Sequence, residues 1–106
     1  MKDYFFIYEV KESEGFHIKV NTADLLYIKA LGDYVQIITK TKHYTVHETL
    51  KNITQRLGSI MYRNHRSYSV NIHNIDLVSK QDVHIGRFEI PIGEQYRKEL
   101  LNLLYN

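Results

Sequence analysis

The chain has no cysteine, so it can form neither a disulfide framework nor a thiolate zinc site. It has one proline, Pro91, placed where a strand should end or run along an edge. No apolar run approaches the ~20 residues of a membrane span. The opening residues MKDYFFIYEV lack the charged, apolar and cleavage regions of a signal peptide. A soluble cytoplasmic protein without membrane association is therefore expected. The motifs HExxH, GxSxG and the P-loop are also missing, as are cofactor fingerprints. Nothing in the chain argues for an enzyme, and no cofactor is implied.

Acidic residues are missing from one long stretch. Between Tyr34 and Ile75 the single acid is Glu48, against Lys40, Lys42, Lys51, Arg56, Arg63 and Arg66. The segments on either side are slightly acidic, so the formal net charge of +2 conceals a basic middle. One positive face is the electrostatic footprint of nucleic-acid binding, although an unevenly charged solvated surface has the same composition.

A length of 106 residues fits one domain, taken as residues 1–106, and 43% hydrophobic residues suffice for a core. Strand-forming runs dominate. Tyr4–Glu9 and Phe16–Val20 flank a turn at Lys11–Gly15 and read as a hairpin. Leu25–Ala30, Tyr34–Thr39 and Lys42–His47 follow, split by Leu31-Gly32-Asp33 and Lys40-Thr41. The period then changes: Leu50, Ile53 and Leu57 recur at helical spacing between Thr49 as N-cap and Gly58 as stop. Further short strands read as Ile60–Tyr62, Tyr68–Val70, Ile75–Ser79, Val83–Ile85 and Arg87–Ile90. A C-terminal helix over Glu94–Leu104 carries Tyr96, Leu100, Leu103 and Leu104 as its apolar stripe. The connections are too short for parallel crossovers. The fold class is mostly β: short antiparallel sheets of about ten strands, one short central helix and the C-terminal helix.

The densest chemistry lies in Tyr62–Asn71, where Arg63, Asn64, His65, Arg66 and Ser67 precede an alternating run. Arginine and asparagine or glutamine are the side chains that grip phosphates and read base edges. The histidines do not make a metal set. His43 and His47 lie on one strand, about 13 Å apart by the strand rise. Ser67 and Ser69 stand near His65 with no acid to complete a triad.

In order along the chain, these residues resemble the LytTR DNA-binding domain family. The run Asp24-Leu25-Leu26-Tyr27-Ile28-Lys29-Ala30-Leu31-Gly32-Asp33-Tyr34-Val35-Gln36-Ile37 is similar to the family's entry segment. Tyr44, then Thr49-Leu50-Lys51, resemble its helix start, and Tyr62 to Asn71 with Ile75 resembles its central signature. Ile90-Pro91-Ile92 matches an element near its end. The resemblance implies an elongated stack of antiparallel sheets and a bacterial transcription regulator that binds double-stranded promoter DNA. It implies a homodimer on paired repeats, a phosphorylatable receiver domain upstream, absent from this chain, and a sensor kinase pathway. Reading in this family is through three loops that enter the DNA grooves.

Carried over by residue, the first loop is Gly32-Asp33-Tyr34, the second Asn64-His65-Arg66-Ser67 and the third Gly93-Glu94-Gln95. Arg66 is the expected base-edge reader, bridging guanine O6 and N7. Asn64 and Gln95 suit adenine, and Arg63, Lys40, Lys42 and Lys51 suit phosphates. The third loop departs from the family, which commonly places serine and basic residues there. Lys29 stands where the family commonly has glutamate. Tyr34, Tyr68 and Val70 read more readily as core or strand-face residues than as DNA contacts, Asn71 as a tie for its own turn, and His65 equally as a loop-orienting or a contacting residue. A competing function is a LytTR-like protein-interaction module that docks through exposed β edges.

Overall fold

The computed structural model describes residues 3–105. Ten strands form three antiparallel sheets, the mostly β architecture expected. Strands β1 (Tyr4–Lys11) and β2 (Glu14–Asn21) pair alone. The central sheet has five strands in the order β5-β4-β3-β7-β6. These are β3 (Leu25–Leu31), β4 (Tyr34–Thr39), β5 (His43–Val46), β6 (Met61–His65) and β7 (Tyr68–Asn71). The third sheet, β10-β9-β8, uses β8 (Leu77–Val78), β9 (Asp82–Ile85) and β10 (Phe88–Pro91). Pro91 ends an edge strand, where its missing N–H breaks no ladder.

The first hairpin is tighter than the sequence implies. Glu12 and Ser13 alone make the turn, with φ of 50° and 70°. Two positive φ values give the backbone twist that suits a two-residue connection, so β2 begins at Glu14 and not at Phe16. Helix α1 (Leu50–Leu57) starts as expected. The Thr49 Oγ1 accepts from the Asn52 N–H at 3.0 Å, and Gly58 takes φ of 72° at the other end.

Alternation along the central strands divides the core. Ile28, Val35, Ile37 and Val46 face Phe5, Ile7 and Val20 of the hairpin and Leu50, Ile53 and Leu57 of α1. Leu26, Tyr62 and Val70 face Val83, Ile85, Ile90 and Ile92 of the third sheet, and Leu100 of α2 (Glu94–Tyr105). The central sheet is thus covered on both sides. The molecule is elongated, with extents of 42 × 28 × 25 Å. In α2 the packing stops after Leu100. Leu103 and Leu104 are exposed, so only half of the expected stripe is buried.

Three asparagines tie the far end of the sheet. Asn21 and Asn71 each cap a single 3-10 turn, at Thr22–Asp24 and Ile72–Asn74. The Asn71 Nδ2 also donates to the Thr22 and Leu25 carbonyls, and the Asn74 Nδ2 to the Ala23 and Leu25 carbonyls. Asn71 therefore does more than tie its own turn: it fastens one 3-10 turn to the other.

Tyr62 joins β6 to α2 by donating its hydroxyl to the Tyr96 carbonyl at 3.0 Å. Burial, helped by Glu99 and Tyr96, pushes the Tyr62 phenol up to about 12. An unfolded tyrosine ionises near 10. The native state thus holds this proton while the unfolded state loses it. The resulting stability is intact below pH ~10 and is lost as pH climbs through 12. Tyr62→Phe should cost about 1 kcal/mol at neutral pH by removing the hydrogen bond. In urea titrations at pH 7 and pH 11, the gap between wild type and variant should narrow at the higher pH.

Candidate nucleic-acid interface

Strand direction sorts the connections into two groups. The β3–β4 turn, the β5–α1 connection and the β6–β7 turn all lie at one end of the central sheet. The β4–β5 turn lies at the other end, with Asn71 and Asn74. At the first end, Gly32, Asp33, Tyr34, Lys51, Arg63 and Arg66 line one open cleft. Lys51, Arg63 and Arg66 share that cleft with the acids Asp33 and Glu48, and the Glu48 Oε1 accepts from the Thr49 N–H at 3.0 Å.

The β6–β7 turn is Arg66-Ser67, closed over the His65–Tyr68 pair. Its backbone is held from several sides. The Arg63 Nε donates to the His65 carbonyl at 3.1 Å and its Nη2 to the Arg66 carbonyl at 2.6 Å. The Ser67 N–H donates to the His65 Nδ1 at 3.0 Å, which leaves the ring proton on Nε2, and the ring meets Tyr68 edge-on at 5.5 Å. The Ser67 carbonyl accepts from the Ala30 N–H at 2.8 Å, locking this turn to the end of β3. The Arg66 side chain is exposed and its guanidinium has no partner among the described residues.

The β3–β4 turn is Gly32-Asp33, with Gly32 at φ 57°, a conformation that favours glycine. Asp33 is exposed. Tyr34 is 48% exposed and stands edge-on against His47 at 5.1 Å. The third segment is not a free loop. Glu94 and Gln95 are exposed in the first turn of α2, and the Gly93 N–H donates to the Asn64 carbonyl at 2.7 Å.

The sequence profile of the LytTr DNA-binding domain matches residues 17–105. The chain belongs to the LytTR family. Among solved structures it is similar to a domain described as the LytTr DNA-binding domain of a Bacillus cereus methyl-accepting/DNA response regulator. The TM-score is 0.78 at 19% identity, with 98% of each chain covered, a likeness of fold. No curated protein matches the chain.

Within this LytTR domain the expected site residues separate into three classes. Arg66, His65, Ser67, Asp33, Tyr34 and Lys51 sit together at one end, and Gln95 adjoins them through the Gly93–Asn64 bond. Asn64 is a correction. It is fully buried in a bulge of β6, its Nδ2 donates to the Pro91 carbonyl at 2.8 Å, and it has no edge to offer adenine. Arg63 is half-buried and its guanidinium donates to two backbone carbonyls of the turn. Lys40 and Lys42 lie apart from this group. They sit on the β4–β5 turn, roughly 20 Å away by the length of β4, where Lys40 borders Asn74, Asp76 and Arg87. His47, weighed in the sequence only as a metal ligand, is exposed in the same cleft. Counting strand reversals from Tyr34 places it there.

Arg63→Lys separates brace from phosphate ligand. Lysine keeps the charge but cannot fork across two carbonyls. In fluorescence-anisotropy titrations, Arg63→Lys should weaken DNA binding by roughly 1–2 kcal/mol, close to Arg63→Ala, since two bonds of about 1 kcal/mol are lost. Near wild-type binding by the lysine variant alone would return Arg63 to the phosphate-contacting set.

Proposed function

We propose that this LytTR domain binds double-stranded DNA in a sequence-specific way as the output domain of a response regulator. It enters the major groove with the Arg66-Ser67 turn. The observation that carries this reading is the contrast between the two arginines. Arg63 is consumed in bracing the turn backbone, while Arg66 projects from that turn unpartnered. An arginine on a rigid mount is suited to the bidentate contact with guanine O6 and N7. His65 presents its Nε2–H beside it, and Gln95 supplies an amide from the first turn of α2. Lys51, Asp33 and Tyr34 flank the same end; the lysine suits a phosphate. Two such domains on paired repeats, as a homodimer, would double the contact. A phosphorylated receiver domain upstream, answering a sensor kinase in the cytoplasm, would supply the control.

A protein-interaction module is the competing reading. It is favoured by the outer face of β1, where Tyr4, Phe6, Tyr8 and Val10 are exposed in alternation. Salt separates the two. DNA binding through several phosphates should lose affinity linearly in log–log form as salt rises, with a slope of about −0.9 per phosphate. A flat response would favour the protein partner.

Arg66→Ala should cost roughly 1–3 kcal/mol on a preferred duplex and bring it close to random duplex. Lys42→Ala, at the opposite end, should leave both affinities within about twofold, well below the 1.4 kcal/mol of a tenfold change. Competition titrations on the two duplexes measure both. An unchanged preference in Arg66→Ala, or a uniform loss in Lys42→Ala, would move the reading surface elsewhere.

A further inference from the structure

We propose that Asn64 is a positioning residue that locks the Arg66 turn and the first turn of α2 into a single reading head. Asn64 is the extra residue of the β6 bulge, next to His65 and Arg66 in the chain, and it is fully buried. Its side-chain Nδ2 donates to the Pro91 carbonyl at 2.8 Å, and its own carbonyl accepts from the Gly93 N–H at 2.7 Å. The two residues flanking Ile92 are thus both bonded to Asn64. The chain leaves β10 and enters α2 under its control.

The neighbouring contacts tighten the same joint. A Cβ on Gly93 would lie 2.9 Å from the Tyr96 ring, so Gly93 leaves room for that ring of α2 against the joint. The Tyr62 hydroxyl, two residues earlier on β6, holds the Tyr96 carbonyl. The amide of Asn64 is not the cheapest way to fill this space. Its Oδ1 is buried with no hydrogen-bond partner among the described residues, which is unfavourable. A polar side chain kept under that penalty is accounted for by the bond its other atom makes, from the mount of one reading element to the entrance of the next. On the opposite flank, the Ala30 N–H bond to the Ser67 carbonyl fixes the turn to β3 without involving Asn64.

The consequence for recognition rests on the DNA-reading function proposed above. With Asn64 in place, Arg66 and Gln95 are presented at one fixed separation, and the domain scores both sets of base pairs together. Without it, the Arg66 turn still reads, while the α2 contact becomes independent and adds little discrimination.

Two measurements on the whole chain test this, one of them blind to DNA. Asn64→Leu fills a similar volume without a donor. Asn64→Ser, too short to reach Pro91, repeats the test where the leucine variant fails to fold. By amide hydrogen exchange, the Gly93 N–H should exchange at least tenfold faster in the variant, while the Ala30 N–H keeps its wild-type rate. Equal acceleration of both amides would mean general destabilisation and would overturn the proposal, as would an unchanged Gly93 rate. In binding assays, a preferred duplex is compared with one scrambled only beneath the first turn of α2. The wild-type preference between them should fall at least fivefold in the variant, with affinity for the scrambled duplex held within twofold. A preserved preference beside a loosened Gly93 would overturn the reading-head role. Wild-type protein with no sequence preference at all would instead refute the DNA-reading function, and the exchange result would still decide whether Asn64 is the lock.

Discussion

A sheet buried on both faces can meet a large partner only with its ends. In this domain the hairpin and α1 cover one face of the five-stranded sheet, and the third sheet and α2 cover the other. Apolar burial at roughly 25 cal/mol per Å2 is what a domain of this size depends on for stability. No central strand face is left over for binding. On the reading proposed above, recognition falls to the turns, and the antiparallel order decides which turns share an end. Those after β3, β5 and β6 share an end, and the one after β4 does not.

A turn is a poor reader unless its conformational freedom has been removed before contact, because ordering it on binding subtracts from affinity. The Arg66-Ser67 turn is ordered in advance by the Arg63 fork, the Ser67–His65 bond and the Ala30–Ser67 bond. The neighbouring arginines therefore have different roles, although their chemistry is identical. One gives its donors to the protein's own carbonyls, and the other has none of its side-chain donors engaged among the described residues. The donor inventory makes the division sharp: a guanidinium that holds two backbone oxygens has less to offer a phosphate.

Much of this was legible before the structure. The strand-forming runs Leu25–Ala30 and Tyr34–Thr39, the change to helical spacing at Leu50, and the Thr49 and Gly58 caps led to the correct elements. The ordered resemblance led to the family. What misled was adjacency in sequence. Asn64 looked like a loop residue because it precedes His65 and Arg66, yet a bulge turns it into the interior, and one extra residue in a strand leaves no periodic signal. Lys40 and Lys42 looked like members of one basic cluster because charge was counted along the chain. A tally of strand reversals would have sent them to the far end. The partners of Arg63 are carbonyls two and three residues on, and no residue type marks them. Leu103 and Leu104 obeyed the helical period but outlast the surface that α2 packs on, a matter of tertiary extent that periodicity does not encode.

The central claim is that one end of the sheet reads DNA and that Arg66 is its base-edge reader. Selection of bound sequences from random duplexes, run in parallel with wild type and Arg66→Ala, tests it most directly. The account predicts that wild type enriches two copies of a motif spaced by about one helical turn, with an invariant guanine in each. Arg66→Ala should enrich the same spacing with that guanine relaxed. Enrichment of an identical motif by both proteins, or of no motif by wild type, would contradict it.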